Sequence, residues 1–387
     1  MPTGPEPLAL YVHWPFCRSK CPYCDFNSHV RDGIDQARWR AALLRELEAT
    51  AATLAPRRLE TIFFGGGTPS LMPPETAAAL IERARALFPP AGAVEVTLEA
   101  NPTSVEAARL GAFRDAGLDR VSLGVQALDD AALRFLGRQH CAHEAIKAVE
   151  LAQALFGRVS FDLIYARPGQ SEAAWRAELG QALALARGHL SLYQLTIEKG
   201  TPFHALARDG AFAVPDEDDA HALFEATQEL TEAAGLAAYE VSNHAADGEA
   251  CRHNLAYWRY QDYAGIGPGA HGRLVLADGR AVATRRHAKP ETWLDTVEQQ
   301  GEGSAETAAL SPRERAEEML MMSLRLAEGL DVAALERRTG IALDALAPPS
   351  RRMPLVEAGL LMEDDRRLRT TRRGRAVLNA LTARLIA

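Results

Sequence analysis

The sequence predicts an α/β protein: a partial or full (β/α) barrel followed by a small, mainly helical, winged-helix-like domain. Three observations carry this. Short apolar or β-branched runs alternate with longer amphipathic stretches over the first two-thirds of the 387 residues. Such alternation, with near-continuous apolar strands, reads as a parallel sheet. Polar residues recur at one end of successive strands, the end that carries the chemistry in a barrel. From Ser311 the texture changes to short helices and a hairpin with a charged turn. A chain this long exceeds one ordinary core. The boundary is placed near 300, in the polar stretch Gln299–Thr307, so that residues 1–300 form the barrel domain and 301–387 the second domain.

Strands are expected at Leu8–Trp14, Leu59–Phe64, Val94–Glu99, Arg120–Gln126, Val159–Tyr165 and His189–Ile197, with a further one at Ala237–Ser242. Between them, helices are expected at Ile34–Leu54, Pro74–Phe88, Val105–Ala116, His143–Phe156, Ala173–Ala186 and Asp216–Ala234. Ser104 and Ser171 offer hydroxyls at helix starts, each with a carboxylate close behind. In the second domain, helices Pro312–Glu328 and Val332–Thr339 precede the hairpin, and Arg375–Ile386 closes the chain.

The formal net charge of -8 argues against a basic nucleic-acid binder at whole-chain level. No apolar run approaches the ~20 residues that span a bilayer. The segment MPTGPEPLAL lacks the basic and apolar regions of a secretory signal, so the cytoplasm is expected. Five cysteines, three of them between positions 17 and 24, do not make a disulfide framework. They point to metal or redox chemistry in a reducing compartment.

Those three form Cys17-Arg-Ser-Lys-Cys21-Pro-Tyr-Cys24, directly after the first strand. Structural zinc normally takes four ligands. A four-iron cluster takes one thiolate per iron, so three thiolates leave one iron open to a ligand from outside the protein. The alternative is a zinc knuckle completed by His13 or His29. Cys141 and Cys251 stand apart and read as buried or incidental. The run Phe63-Phe64-Gly65-Gly66-Gly67-Thr68 follows the second strand, where glycines let backbone approach a ligand. Tyr11 and Tyr23 flank the cysteines. Glu99, Gln126 and Asp162 fall at strand ends, and Arg138 follows in LGRQH. Carboxylates so placed can hold ribose hydroxyls or an ammonium, although any one alone could equally cap a helix or join a surface ion pair.

On CxxxCxxC, the glycine run and the ordered set Glu99, Gln126, Arg138 and Asp162, the chain resembles the radical S-adenosylmethionine superfamily. Within it, the chain looks like the branch that contains oxygen-independent coproporphyrinogen III oxidase. The resemblance implies a 4Fe-4S cluster on Cys17, Cys21 and Cys24. It implies S-adenosylmethionine on the open iron, contacted by Tyr11, Tyr23, Gly66, Gly67, Thr68, Glu99, Gln126, Arg138 and Asp162. In that superfamily one electron from the cluster cleaves the sulfonium to a 5′-deoxyadenosyl radical.

Two activities occur in the branch: oxidative decarboxylation of coproporphyrinogen propionates, and the binding and delivery of haem by chaperones. The oxidase has a further cysteine two positions after the third ligand, where this chain has Phe26. It also carries a long N-terminal arm, whereas ten residues precede Tyr11 here. The segment Cys251-Arg-His253-Asn-Leu-Ala-Tyr257-Trp258, with Asp262–Gly272 after it, is similar to the chaperone group. A haem chaperone is therefore the first expectation and the oxidase the second. An imidazole is a common axial haem ligand, so His253 is the expected donor. Tyr257 and Trp258 supply flat apolar area, and Arg252 and Arg259 supply cations for the propionates. The alternative is a structural turn with an aromatic anchor. The expected partners are haem and haem-accepting apo-proteins, among them respiratory enzymes at the inner face of the membrane, with a homodimer also expected. A third reading is a DNA-binding module, since Arg366, Arg367, Arg369, Arg372, Arg373 and Arg375 could contact phosphates. A helical lid with a solvated basic turn is the preferred reading of that run.

Overall fold

Apolar residues two apart along each strand, and polar residues between them, decide the architecture. The computed structural model describes residues 5–386; Met1–Gly4, part of the N-terminal segment read above, lie outside the described residues. Strands β1 (Glu6–Trp14), β2 (Arg57–Gly66), β3 (Glu95–Ala100), β4 (Arg120–Gln126), β5 (Arg158–Tyr165) and β6 (His189–Gln194) lie parallel and in chain order. Leu8, Leu10, Val12, Val96, Leu98, Val121, Leu123, Val159 and Phe161 join Trp39, Leu43, Leu80 and Leu179 of the covering helices in one core. The alternating residues Glu95, Thr97, Arg120, Ser122 and Ser160 are polar yet buried.

The sheet does not close, so the barrel is partial. It has twelve strands, in the order β12-β11-β10-β9-β1-β2-β3-β4-β5-β6-β8-β7, where β7 is Ala237–Ala238, β8 Asn243–Ala245, β9 Tyr263–Ile266, β10 His271–Val275, β11 Ala281–Arg286 and β12 Ser304–Ala309. β9 pairs parallel with the free side of β1, and β10 to β12 follow antiparallel. The expected strand Ala237–Ser242 is corrected to the short pieces β7 and β8. Between them Glu240 turns the chain by accepting from Ser242 N at 2.8 Å and Asn243 Nδ2 at 2.6 Å. The expected helix Val105–Ala116 divides into Ser104–Ala107 and Leu110–Asp115. At the break, Arg109 donates to the carbonyls of Ser70 and Met72, at 2.6 and 2.8 Å. The helix expected to reach Glu328 ends at Ser323, and the last begins at Leu378, after a short turn of helix Arg372–Ala376.

A second core, with Ala316, Met319, Leu320, Leu335, Leu368 and Leu385, begins on the helix Pro312–Ser323. It includes a three-stranded antiparallel sheet of Leu330–Asp331, Arg367–Thr370 and Leu361–Glu363. β12 lies just past residue 300 and pairs with β11 of the large sheet. Several arginines of the 366–375 run have carboxylate partners. Arg369 meets Asp364 at 3.0 Å, and Arg372 meets Glu225 at 2.9 Å on the barrel helix Glu217–Ala233. The run thus ties the two cores together. Among the described residues no helix is long and apolar enough to cross a membrane.

Candidate functional site

The loop after β1 is clamped at its base, because Phe16–Cys17 pairs with His29–Val30 as a two-stranded ladder. This gathers the three cysteines around one pocket, whose walls include Thr68, Asn101 and Arg138. All three thiols are free and half-buried. Thr68 Oγ1 donates to Cys17 Sγ at 3.3 Å, Arg138 Nη1 donates to Cys21 Sγ at 3.3 Å, and Ser28 Oγ lies 3.9 Å from Cys24 Sγ. Burial raises the thiol pKa of Cys17 and of Cys24. Among the described residues no three His, Cys, Asp or Glu side chains converge to chelate a single metal ion. A cluster that presents one iron to each thiolate does not need that convergence.

Both imidazoles of the zinc-knuckle alternative have other partners. His13 lies within hydrogen-bond reach of Tyr11 OH at 3.0 Å and of the Asn27 carbonyl at 2.9 Å, and burial lowers its pKa to about 4. His29 Nε2 lies 3.1 Å from Asn27 Oδ1. Asn27 in turn donates to the carbonyls of Pro268 and Ala288, both at 2.9 Å, fixing the loop to the far side of the sheet.

The expected glycines sit where chemistry requires glycine. Gly66 has φ +112°, and a side chain there would strike the His13 ring. Its N–H donates to Glu99 Oε2 at 3.2 Å, joining the glycine turn to the next strand end. Burial, with the nearby Asp162 charge, pushes the Glu99 carboxyl up to about 8. Burial pushes Asp162 up to about 6 against the hydrogen bonds of Ser191 and Ser122; Ser122 Oγ donates at 3.2 Å. Tyr11 lies close enough for burial and the Glu99 charge to raise its pKa. Gln126, at the end of β4, holds φ +72°, unusual for a residue with a side chain and a pointer to a shaped site. Tyr11, Gly66, Glu99 and Asp162 therefore converge.

Tyr23 belongs to the cysteine side, and Arg138 stands between the two, its charge acting on Asp162 while it bonds Cys21. Arg138 Nη2 donates to Asn101 Oδ1 at 2.6 Å and to the Gly124 carbonyl at 2.8 Å. Tyr23 packs against Phe203, with ring centroids 6.3 Å apart. Asn101 was missed in the sequence, although it stands two residues after Glu99. It also donates to Thr68 Oγ1 at 3.3 Å, so it bridges the two halves of the site.

His253 is the second residue of the helix Arg252–Trp258, which packs against β1 and β2. It is 7% exposed. Its Nδ1 lies 2.8 Å from Thr61 Oγ1, its backbone N–H donates to Glu95 at 3.1 Å, and its ring stacks on Phe63 at 5.0 Å. Burial lowers its pKa to about 4, so the imidazole is neutral. Tyr257 packs on Tyr263 at 4.7 Å, while Trp258 lies under the Arg325 guanidinium at 4.4 Å. Arg252 donates to the Ala93 carbonyl, and Arg259 is held by Glu328. The segment is thus folded into the protein in this conformation, rather than presented as an open platform.

Residues 11–179 match the radical SAM superfamily, and residues 310–377 match the HemN C-terminal domain. The Bos taurus radical S-adenosyl methionine domain-containing protein 1, mitochondrial, is 40% identical over 391 residues, covering 99% of this chain and 88% of that protein. The heme chaperone HemW of Escherichia coli is 38% identical over 384 residues, covering 98% of each. The solved coproporphyrinogen III oxidase (HemN) of Escherichia coli superposes with a TM-score of 0.81 at 21% identity, covering 99% of this chain and 91% of that one, a likeness of fold. Fold and cysteine loop together define a radical S-adenosylmethionine protein with a HemN-type C-terminal domain. The chain belongs to this superfamily and, within it, to the family that includes the heme chaperone HemW and radical S-adenosyl methionine domain-containing protein 1.

Proposed function

We propose that the chain is a haem chaperone that carries a 4Fe-4S cluster and S-adenosylmethionine, and that it passes haem to apo-proteins. The observation that carries this is the make-up of the cysteine loop. Three thiols lie on it, and Phe26, 60% exposed, stands where the oxidase of this branch has a further cysteine. The 38% identity to a heme chaperone over nearly the whole chain supports the same reading. The donor set fits a cluster with one iron open: each thiol has its own polar neighbour, and His140, the imidazole on the pocket wall, is held on the Val125 carbonyl at 3.0 Å.

A bound cluster would supply one electron to a bound sulfonium. The chain's residues do the rest. Thr68 and Arg138 hold thiolate sulfurs by hydrogen bonds. Tyr11, Gly66, Glu99 and Asp162 form the wall at which the cationic ligand is held. Glu99 and Asp162 are both raised by burial. A cation binding there favours their ionised forms, so binding releases protons and affinity rises with pH. S-adenosylmethionine should bind more tightly at pH 8 than at pH 6, by up to about tenfold per pH unit for each proton released. Equilibrium binding across that range tests it, and a flat profile would remove these carboxyls from the site. Glu99→Ala and Asp162→Ala should weaken binding while leaving the iron content unchanged.

The function is tested by transfer of haem from the anaerobically reconstituted protein to an apo-acceptor, beside turnover of coproporphyrinogen III. Transfer without turnover is expected; the reverse result would install the oxidase reading. For His253 to reach haem iron, the helix Arg252–Trp258 must give way, because the ring is buried and bonded. His253→Ala should change the haem spectrum and speed haem loss. Unchanged spectra with a lowered unfolding midpoint would leave His253 as an anchor of that helix.

A further inference from the structure

A second cavity, of about 240 Å³, lies on the seam between the two cores. Its walls carry Arg259, Arg337, Arg338 and Arg367 against Glu328 and Asp331. The charges do not balance. Glu328 is taken up by Arg259 at 2.7 Å, and Asp331 lies 3.4 Å from Arg367. Arg338 reaches Asp262 at 2.9 Å, but Asp262 is already paired with Arg57 at the same distance. The Nε of Arg338 is buried without a partner. Burial, together with the charge of Arg315, lowers the pKa of Arg338 despite Asp262, as expected for a cation short of counter-charge. Arg337 is exposed, and its recorded contact is the Ala333 carbonyl of its own helix at 3.5 Å.

The cavity also adjoins the aromatic end of the helix Arg252–Trp258. Arg259 follows Trp258 directly, and Ser323 on the cavity wall lies with its Oγ 3.4 Å from the Trp258 carbonyl. Ala334, half-buried, continues the wall, with the buried Met319 behind it. Excess positive charge next to apolar surface matches the edge of a flat macrocycle that carries acid side chains. The charge is divided between two neighbouring side chains, which suits two carboxylates on separate arms better than one compact phosphate.

We propose that this cavity receives the two propionate carboxylates of haem, with Arg337 and Arg338 as the cations that bind them. This rests on the chaperone reading and adds to it the place where the cargo's charged edge is held. It also places the propionate contacts on the second core rather than on Arg252 and Arg259, of which Arg259 is already paired with Glu328. Haem would then lie across the seam between the two cores.

The test is optical titration of the full-length protein with haem and with haem dimethyl ester, in wild type and in Arg337→Glu. Arg337 is suited to this because it is exposed and, among the described residues, no carboxylate pairs with it. Unfolding midpoint and iron content serve as controls for the variant. In wild type the ester should bind about tenfold more weakly than haem, and Arg337→Glu should weaken haem by a similar factor while leaving the ester unaffected. Equal binding of haem and ester, or unchanged haem affinity in Arg337→Glu, would overturn the proposal and leave the chaperone reading standing. Inorganic phosphate that binds here without competing with haem would likewise overturn it, making this a phosphate site. Failure of wild type to bind either form of haem would sink both.

Discussion

Alanine at Cys17, Cys21 or Cys24 should abolish the iron–sulfur absorption of anaerobically reconstituted protein, while Cys141→Ala should leave it intact. The reconstituted wild type should hold about four irons and four sulfides per chain. Each triad thiol is the one donor available for its iron. His140, the imidazole that lines the cysteine pocket, is buried and held on the Val125 carbonyl, and His13 and His29 are hydrogen-bonded to Tyr11 and Asn27, so none stands ready to replace a lost thiolate. Cys141 instead caps the helix Ala142–Leu155. Iron and sulfide analysis of the four variants checks this. Retention of a full cluster in any of the triad variants would show that another side chain completes it.

The second large effect falls on stability. Glu46→Ala should destabilise the protein by about 3–5 kcal/mol, the range for removing one partner of a buried, hydrogen-bonded charge. Glu46 lies in the helix Gln36–Ala52 and is fully buried. It accepts from Gly267 N at 2.7 Å, Gly303 N at 2.7 Å and Trp293 Nε1 at 2.9 Å, and it faces Arg286 at 3.3 Å. One carboxylate therefore satisfies the turn after β9, the approach to β12, the helix Pro290–Gln300 and a cation on β11. Without it, two buried backbone N–H groups and the Trp293 indole N–H lose their acceptor together, while Arg286 keeps Glu302 as its carboxylate partner at 2.6 Å. Urea unfolding checks the loss. Glu46→Gln should fall between wild type and Ala, since the amide keeps one acceptor oxygen but no charge. A cost under about 1 kcal/mol for Ala would mean that these groups find other partners on relaxation.

The site's chemistry was legible because its residues lie in short, dense motifs. The cysteine spacing follows from one loop, and the glycine run from one strand end. Neither depends on what the rest of the chain does. The six parallel strands were legible for a related reason. A strand buried on both faces is nearly continuous in apolar residues, and a following helix shows its own period. β9 to β12 carry weaker signals. β9 is four residues long. β12, Ser-Ala-Glu-Thr-Ala-Ala, is an edge strand with little apolar alternation. β9 docks beside β1, and the resulting register joins Tyr11 to Gly265 across the sequence between them. No local pattern encodes such a pairing.

The same division holds for the segment Arg252–Trp258. From the sequence, the imidazole and two aromatic rings within six positions resemble a haem platform. The tertiary structure turns the imidazole onto Thr61 and Phe63 and gives the aromatic rings to Tyr263 and Arg325. The sequence by itself determined which atoms can do chemistry: three thiols, a glycine turn and carboxylates at strand ends. Only the tertiary structure decided which of them meet and at what charge. Burial sets Glu99 and Asp162 beside one another with raised pKa values, and docking of the second core leaves Arg338 sharing Asp262 with Arg57, its Nε buried without a partner. Both outcomes depend on long-range packing and desolvation, which arise between segments far apart in the chain and leave no trace in the spacing of residues along it.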